Sequence, residues 1–303
     1  IRDTVGKHDT FNLACTSKYY EDAGYFGHPN CSENLNNAMV KYVLHIASPI
    51  TNSADVSDNE MVIPAREGTI RVLRAASYAG VKRVVLTSSV AAILGGTNKN
   101  EPYDESDWTN VEASSVSAYA KSKTVAERAA WDFIDSDPSG LELTAVNPSV
   151  VFGPVLEQDY GTSVALIASL LNGEIPIAFD IGLGVVDVRD VADMNLLAMI
   201  KPEAAGERFI CSESSLRMIE IAHILEKHLP KFSSRLPSRV APNVLVKFAA
   251  LFNSRLKSIA PDLGRRRMIK NTKAKELLGW SARPAKEAIE SAADSLLWYD
   301  IVG

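Results

Sequence analysis

Tyr119 and Lys123 are the two residues of this sequence whose types and spacing best suit proton transfer. They lie four positions apart in a segment with helical periodicity, so the phenol and the ammonium share one face of a helix. A nearby ammonium stabilises phenolate and lowers the phenol pKa below its usual value of about 10. Such a phenol can donate and accept a proton near neutral pH. The alternative is a solvent-facing Tyr and Lys pair with no role in chemistry.

Hydroxyl and amide side chains follow several apolar runs and could complete a site with this pair. Thr87-Ser88-Ser89 follows one run, Asn147-Pro-Ser follows a second, and Ser48-Pro follows a third. The carboxyl ends of parallel strands share one edge of a sheet, where ligands of open α/β sheets bind. A hydroxyl at that edge can hydrogen-bond a substrate carbonyl and stabilise an oxyanion. Ordinary strand-to-helix turns are the alternative for each segment.

An alternation of strands and helices from residue 41 onward must position these side chains. Short apolar runs at 42–47, 83–87 and 141–146 predict buried strands. Longer amphipathic segments at 59–79 and 117–134 predict the helices between them. This order predicts an α/β fold with a Rossmann-like, doubly wound parallel sheet.

A smaller lobe is predicted after Pro154, where the rhythm of the sequence changes. Short helical and strand patterns alternate up to residue 200, and 215–303 is expected to be mostly helical. The expected division of the chain is a sheet domain of residues 1–154 with 184–200, and a mostly helical substrate-binding lobe of residues 155–183 and 201–303.

The composition of the 303-residue chain excludes several function classes. A net charge of −5 argues against a protein built to bind nucleic acid or a membrane surface. No apolar run reaches the roughly 18 residues needed to span a membrane. The three cysteines and five histidines show no metal-ligand spacing, so no metal site is expected. So few cysteines also favour a reducing, cytoplasmic location.

One strongly basic stretch departs from this acidic balance. Residues 227–275 carry thirteen Lys or Arg and a single acid, Asp262, and they include Arg265-Arg266-Arg267. A basic face for nucleic acid or for a phosphate-bearing ligand is one interpretation. A solvated helical surface is the other. The second is favoured, because neither a nucleic-acid motif nor interleaved aromatic residues accompany the run.

Several strings in the sequence together resemble one enzyme family. They are HIASP at 45–49, KRVVLTSSVAA at 82–92, YAKSK at 119–123 followed by Glu127, and NPSVVFGP at 147–154. The match extends nearly continuously over 41–290. The chain resembles an extended short-chain dehydrogenase/reductase of the dihydroflavonol reductase-like branch, within the NAD-dependent epimerase/dehydratase superfamily.

The resemblance implies NADP-dependent chemistry on a carbonyl or a secondary alcohol. Tyr119 would protonate the substrate oxygen, and Ser89 would orient that oxygen, with Ser88 as the alternative. Lys123 would bind the nicotinamide ribose and lower the pKa of Tyr119. NADP is favoured over NAD because Arg2 matches the arginine that pairs with the 2′-phosphate in this branch. A frayed terminus is the equal alternative for Arg2.

The resemblance also implies a cofactor-binding surface and one departure from the family. The family places a strand and a Gly-x-x-Gly-x-x-Gly loop before the segment that ends here in Arg2-Asp, and no such loop is found in this sequence. The domain of 1–154 with 184–200 is therefore expected to be an NADP-binding Rossmann domain that is incomplete at its N-terminus. The residues that match cofactor-lining positions are Ile46, Ala47, Ser48, Pro148, Ser149, Val150, Val151 and Ser163.

The main hypothesis is a reductase of small carbonyl compounds, acting as a monomer or homodimer without nucleic-acid or membrane partners. Apolar residues in the loops at 90–97, 155–160 and 175–182 favour an apolar or aromatic substrate. One alternative is a non-catalytic relative that keeps the fold and binds a ligand or partner. A second is a sugar-nucleotide epimerase or a 3β-hydroxysteroid dehydrogenase. A binding module built on the basic stretch is the third.

Overall fold

A four-stranded parallel sheet forms the centre of the structure. This computed structural model describes residues 40–50, 58–97, 99, 101–253, 256 and 259–303. The strands are β1 (Tyr42–His45), β2 (Arg83–Thr87), β3 (Glu142–Pro148), β4 (Val150–Phe152), β5 (Gly182–Asp187), β6 (Arg208–Cys211) and β7 (Ser214–Arg217). The large sheet has the order β1-β2-β3-β6, and its neighbouring strands are all parallel. The predicted parallel α/β fold is confirmed, and β2 has the predicted bounds.

Helices precede or follow most of these strands. The α-helices are α1 (Asp58–Tyr78), α2 (Ala91–Leu94), α3 (Ala118–Ser136), α4 (Thr162–Leu171), α5 (Val188–Ile200), α6 (Met218–His228), α7 (Asn243–Ala249) and α8 (Ala285–Trp298). Short 3₁₀ turns lie at Pro202–Ala204, Pro230–Phe232 and Ala260–Asp262, and a π-helical turn lies at Ala274–Leu278. Within the described ranges, none of the helices is both long and apolar enough to cross a membrane.

Helices cover both faces of the large sheet. On one face, α1 and α3 pack over Val84 and Leu86 of β2. On the other face, α5 packs over Val85 of the same strand. Successive side chains of a strand point to opposite faces, so a strand covered on both sides is apolar at every position. This burial explains the continuous apolar run by which the sequence predicted β2.

Local signals set the ends of the two helices on the first face. The Ser117 side chain caps α3 by accepting a hydrogen bond from Ala120 N at 3.2 Å. Gly80 follows α1 with a φ of +66°, a left-handed conformation that favours glycine after a helix. The Ser117 cap fixes the first turn of α3, and Tyr119 lies in that turn.

A second sheet, of three strands, lies beside the first. β4 pairs in parallel with β5, and β5 pairs antiparallel with β7. β7 was not predicted, and it overlaps the first residues of the range 215–303 that is expected to be mostly helical. Its sequence, SSLR, is short and has a single apolar residue, so no strand pattern distinguishes it from a loop. α6, α7 and α8 supply the helices expected after it.

The smaller lobe around this second sheet has a hydrophobic core of its own. Phe152 of β4 and Val185 of β5 pack against Ile167 of α4 and Ile221 of α6, and all four side chains are fully buried. The chain then returns to the large sheet, where β6 pairs with β3. β6 nevertheless lies in the range 201–303, which the sequence predicts to belong to the substrate-binding lobe. The division into an NADP-binding domain and a substrate lobe stays a prediction.

Arg83 fixes the start of β2 with a guanidinium that is almost completely buried. Its Nη1 donates to the carbonyl oxygens of Ala198 and Lys201, each at 2.7 Å, at the C-terminal end of α5. Its Nη2 and Nε bond the Glu142 carboxylate of β3 at 2.7 and 2.8 Å. One side chain therefore joins β2, β3 and α5.

We expect Arg83→Ala to lower the free energy of unfolding by about 3 kcal/mol or more, because it leaves buried carbonyl groups without a donor. Glu142→Gln is the matched control, since the Glu142 side chain is 31% exposed and water can replace part of the ion pair. Its expected loss is about 1 kcal/mol. Urea denaturation followed by circular dichroism measures both, and equal losses would contradict this account of Arg83.

Candidate active site

Backbone hydrogen bonds hold the turn that carries Ser88 and Ser89 beside β3. Ser88 N donates to Val146 O at 2.8 Å, and Val90 N donates to Pro148 O at 2.9 Å. These bonds continue the pairing of β2 with β3 beyond the last residue of β2. The two hydroxyls are therefore held at the carboxyl edge of the sheet, the edge at which ligands of such folds bind.

Tyr119 and Lys123 of α3 reach the same turn. Tyr119 shares a side-chain hydrogen bond with Ser89. The Lys123 side chain is buried one helical turn later, with its Nζ 5.9 Å from the centre of the Tyr119 ring. Its Nζ also donates to Thr87 O at 3.5 Å. The structure thus brings together the phenol, the hydroxyl and the ammonium that the sequence singled out.

Burial dominates the pKa of both groups. It raises the pKa of the Tyr119 phenol above its ordinary value, and the hydrogen bond from Ser89 offsets only part of that rise. Burial lowers the pKa of Lys123 to about 8, although the nearby Glu127 carboxylate favours the charged amine. The expectation of a lowered phenol pKa is therefore wrong for the protein alone. The sequence indicates that an ammonium lies near the phenol. It could not show how deeply the folded protein buries the phenol, which is the largest cause of the raised pKa.

The two candidate hydroxyls have different partners. Ser88 Oγ donates to Glu127 Oε2 at 2.5 Å and so is engaged within the protein. Ser89 Oγ accepts a hydrogen bond from Ala91 N at 3.1 Å and lies beside Tyr119. Among the described residues, its proton has one other acceptor within reach, Pro148 O, at a long 3.5 Å. The geometry favours Ser89 over Ser88 as the hydroxyl that meets a substrate oxygen.

The Glu127 carboxylate lies beneath this site and bonds the residues that support the turn after β2. Its side chain has no exposed surface. Oε2 accepts hydrogen bonds from Ser88 and from Asn147 Nδ2, the latter at 2.8 Å. Oε1 pairs with Arg208 Nε at 2.6 Å. Asn147 Nδ2 also donates to Ser89 O at 3.1 Å, so the carboxylate and the amide together fix the turn after β2.

Arg208 extends this network to the loop before α3. Its guanidinium stacks on the Trp108 ring at 3.7 Å from the ring centre. Its Nη1 donates to Glu105 O at 2.6 Å and to Asp107 O at 3.0 Å. In the sequence, Glu127 stands out only as part of a motif, and Arg208 is not among the predicted site residues. An arginine within the apolar strand RFIC was the available signal, because a buried cation requires a buried partner.

The remaining cofactor-lining candidates lie at or next to the ends of strands, except Ser163, which lies in a helix. Ile46, Ala47 and Ser48 follow β1, and Ile46 is 60% exposed although it adjoins a buried strand. Pro148 ends β3, Ser149 follows it, and Val150 and Val151 begin β4. Ser163 lies in the first turn of α4. Arg2 lies outside the described residues, as does the whole segment 1–39.

The donor set at Lys123 fits the nicotinamide ribose of NADP. Within the described residues, this buried ammonium makes one hydrogen bond, the long contact to Thr87 O. A buried ammonium has three donors and favours further acceptors, which two ribose hydroxyls supply.

His45 ends β1 close to Lys123 but does not behave as an acid or base. Its side chain is buried, and burial together with the Lys123 charge lowers its pKa to about 4. It is therefore neutral near pH 7, in line with the sequence interpretation of a core residue. Among the residues described here, no group of three or more His, Cys, Asp or Glu side chains is placed to hold a metal ion.

Comparisons with known proteins identify the family. A family model for the NAD dependent epimerase/dehydratase family matches residues 18–211, which is more than half of the chain. The chain belongs to this family. The assignment to the extended short-chain dehydrogenase/reductases, made from the sequence motifs, is confirmed.

Reductases of this family are among the similar proteins. The NADPH-dependent methylglyoxal reductase GRE2 of Saccharomyces cerevisiae is 34% identical over 283 residues, covering 86% of this chain and 78% of that protein. Cinnamoyl-CoA reductase 2 of Medicago truncatula is 35% identical and covers 72% of this chain, which spans 64% of that reductase. The crystal structure of yeast Gre2 with NADPH superposes with a TM-score of 0.73 at 32% identity, covering 89% of this chain and 80% of that one.

We expect Glu127→Gln to lower the free energy of unfolding by about 3 kcal/mol, because the buried Arg208 guanidinium loses its carboxylate. Glu112→Gln is the matched control at an exposed position, with an expected change within about 0.5 kcal/mol. Urea denaturation measures both variants. If the Glu127→Gln protein is as stable as the control, the ion pair with Arg208 does not contribute to the stability of the protein as proposed.

The pH dependence of cofactor capture should follow Lys123. With a pKa of about 8, its amine is charged below that pH and neutral above it. The kcat/KM for NADPH, which reports groups of the free enzyme, is therefore expected to fall as the pH rises through about 8. Lys123→Arg keeps its charge throughout this range and should remove the decline. A wild-type profile that stays flat well above pH 8 would contradict this assignment.

Proposed function

We propose that this protein reduces the carbonyl group of a small apolar or aromatic aldehyde or ketone with NADPH. The observation that carries the proposal is the meeting of Tyr119, Ser89 and Lys123 at the carboxyl edge of the sheet. The relatives agree, since they include NADPH-dependent methylglyoxal reductase and cinnamoyl-CoA reductase. The expectation of an NADP-dependent oxidoreductase is confirmed by these relatives.

Tyr119, Ser89 and Lys123 have separate roles in the proposed reaction. NADPH, when bound, supplies a hydride to the carbonyl carbon. The Tyr119 phenol donates its proton to the carbonyl oxygen, so that the product is an alcohol. The Ser89 hydroxyl donates a hydrogen bond to the same oxygen and stabilises the negative charge that develops on it. Lys123 holds the ribose hydroxyls and places its positive charge beside the phenolate that remains.

The raised pKa of Tyr119 suits the direction of reduction. A phenol with a pKa above its ordinary value keeps its proton at neutral pH and enters the reaction as an acid. The Lys123 charge lowers the cost of leaving a buried phenolate. Because the Ser89 hydroxyl has one proton, its hydrogen bond to Tyr119 in the protein alone is replaced by one to the substrate oxygen when the carbonyl compound binds.

Apolar side chains on the predicted substrate loops support the choice of an apolar carbonyl compound. Leu156 is 88% exposed and Ile177 is 49% exposed, both on loops that follow strands or helices of the smaller lobe. Exposed apolar side chains of this kind are typical of surfaces that bind a hydrophobic ligand. Ser149, Val151, Ser163 and the other strand-end residues remain the proposed lining of the cofactor.

The location and the assembly of the protein are also proposed. We place it in the cytoplasm, because three cysteines in 303 residues suit a reducing compartment. We propose a monomer or a homodimer that acts on small carbonyl compounds, and neither nucleic acid nor a membrane as a partner. The net charge of −5 supports the last point.

Tyr119→Phe removes the transferred proton and leaves the ring in place. We expect its kcat for an aromatic aldehyde to fall by about 100-fold or more, while NADPH binding is retained. Tyr78→Phe, at a position that is 82% exposed, is the matched control and should be unchanged. The measurements are loss of nicotinamide absorbance for turnover and NADPH fluorescence for binding.

Ser89→Ala tests the choice between the two hydroxyls. We expect its kcat to fall by roughly 100-fold, the loss typical of a missing oxyanion donor, with stability close to that of the wild type. Ser88→Ala should instead lower stability, because Ser88 bonds Glu127. A larger loss of kcat in Ser88→Ala than in Ser89→Ala would reverse the assignment. Tight NADPH binding with no turnover of any aldehyde or ketone would favour the non-catalytic alternative.

A further inference from the structure

An extended segment, Gly264–Lys270, spans the two lobes and is held by backbone hydrogen bonds at both ends. Gly182 N of β5 donates to Arg265 O at 2.9 Å. At the other end, Tyr103 N donates to Met268 O and Lys270 N donates to Tyr103 O, each at 2.8 Å. The three consecutive arginines of the basic stretch therefore project from a fixed backbone.

These arginines line a cavity of about 160 Å³ with the loop that contains Tyr103. The segment contributes Arg265 to Met268, and the loop contributes Lys99, Glu101 and Tyr103. Four cations and one carboxylate thus face the same space. A cavity of this size holds a phosphate or carboxylate group.

Pairing inside the protein leaves positive charge in surplus at this cavity. Lys99 pairs with Asp107, and Arg267 Nη2 pairs with Asp262 at 2.7 Å. Arg266 Nη2 donates to a backbone carbonyl, that of Ser215, and in the described part of the chain no carboxylate forms an ion pair with it. The Arg266 charge is therefore not neutralised by a side chain.

Arg267 adds an unmet hydrogen-bond donor. Its Nε is buried and has no acceptor among the described residues. A buried N–H without a partner costs roughly 1 to 3 kcal/mol, so such a group favours an acceptor that arrives from outside. The Arg266 charge and the unpartnered Nε of the adjacent Arg267 both favour the binding of an anion.

The cavity adjoins the catalytic turn through packing. Ile269, next to Met268, packs with Ile93 of α2, the helix that begins two residues after Ser89. Tyr103 packs in the same cluster, and its hydroxyl donates to Thr97 O at 2.9 Å. The wall of the cavity and the loop at 90–97, a predicted wall of the substrate site, are therefore one packed unit.

We infer that this cavity binds a phosphate or carboxylate group on the carbonyl substrate, through Arg266 and Arg267. The inference rests on the proposed function, because it assigns the far end of the substrate that Tyr119 and Ser89 reduce. The substrate class becomes an apolar or aromatic carbonyl compound with an anionic group. The basic run at 265–267, for which a solvated surface is the favoured interpretation from sequence, is thereby assigned a ligand.

A matched pair of substrates tests the assignment by kinetics. 4-Carboxybenzaldehyde and its methyl ester differ in charge at one end and share the aldehyde. We expect the wild type to show a kcat/KM about tenfold higher for the acid, the effect of one charge-assisted contact. Arg266→Ala and Arg267→Ala should lose this preference and keep their activity on the ester. Arg239→Ala, at an exposed position outside the cavity, should retain the preference.

Binding of inorganic phosphate gives a readout that does not depend on turnover. Phosphate, compared with chloride at equal ionic strength, should raise the melting temperature of the wild type and of Arg239→Ala but not of Arg266→Ala. Glu101→Gln removes the one carboxylate that lines the cavity, so it should strengthen phosphate binding several-fold. This opposite effect keeps the test valid if an arginine variant folds poorly.

The outcomes separate this inference from the proposed function. A phosphate effect equal in wild type and Arg266→Ala would overturn the site. Phosphate binding lost in Arg266→Ala, with equal rates on the acid and the ester, would overturn the assignment to the substrate and leave a site for free phosphate. Failure to reduce either aldehyde, with intact NADPH binding, would instead overturn the proposed function.

Discussion

The ion pair between Glu127 and Arg208 is buried where four parts of the chain meet. Glu127 comes from α3 and Arg208 from β6, while Ser88 after β2 and Asn147 of β3 donate to the same carboxylate. Removing such charges from water costs several kcal/mol, which is offset only when their geometry and hydrogen bonding are nearly complete. The observed position of α3 against the large sheet is one in which Ser88, Asn147 and Arg208 all meet this carboxylate.

The positions of the proposed catalytic groups follow from that constraint. Lys123 and Glu127 lie one turn apart on α3, so the helix that satisfies Glu127 also delivers the Lys123 ammonium to the end of β2. Ser89 follows directly on Ser88, which the carboxylate holds. The groups around the substrate oxygen are thus placed before any ligand arrives, and preorganised groups stabilise developing charge without a cost of reorientation.

Much of this arrangement could be predicted from the sequence, because it depends on local pattern. The apolar run of β2 and the four-residue spacing of Tyr119 and Lys123 report burial and a shared helix face directly. The sequence did not predict β7 or the role of Arg208. A four-residue polar strand and a buried cation are both stabilised by partners that are distant in sequence. The direction of the Tyr119 pKa likewise depended on how deeply tertiary packing buries the ring.

β2 is held at both ends by charged groups, which has a consequence for how such enzymes diversify. Arg83 ties its first residue to the carbonyl end of α5, and Glu127 holds Ser88 just after its last residue. A strand fixed in this way cannot change its register when neighbouring loops change in length or composition. Substitutions among the exposed side chains near residues 265–267 would therefore leave the turn that carries Ser89 in place, so that a change in the molecule accepted need not disturb the proposed reacting hydroxyl.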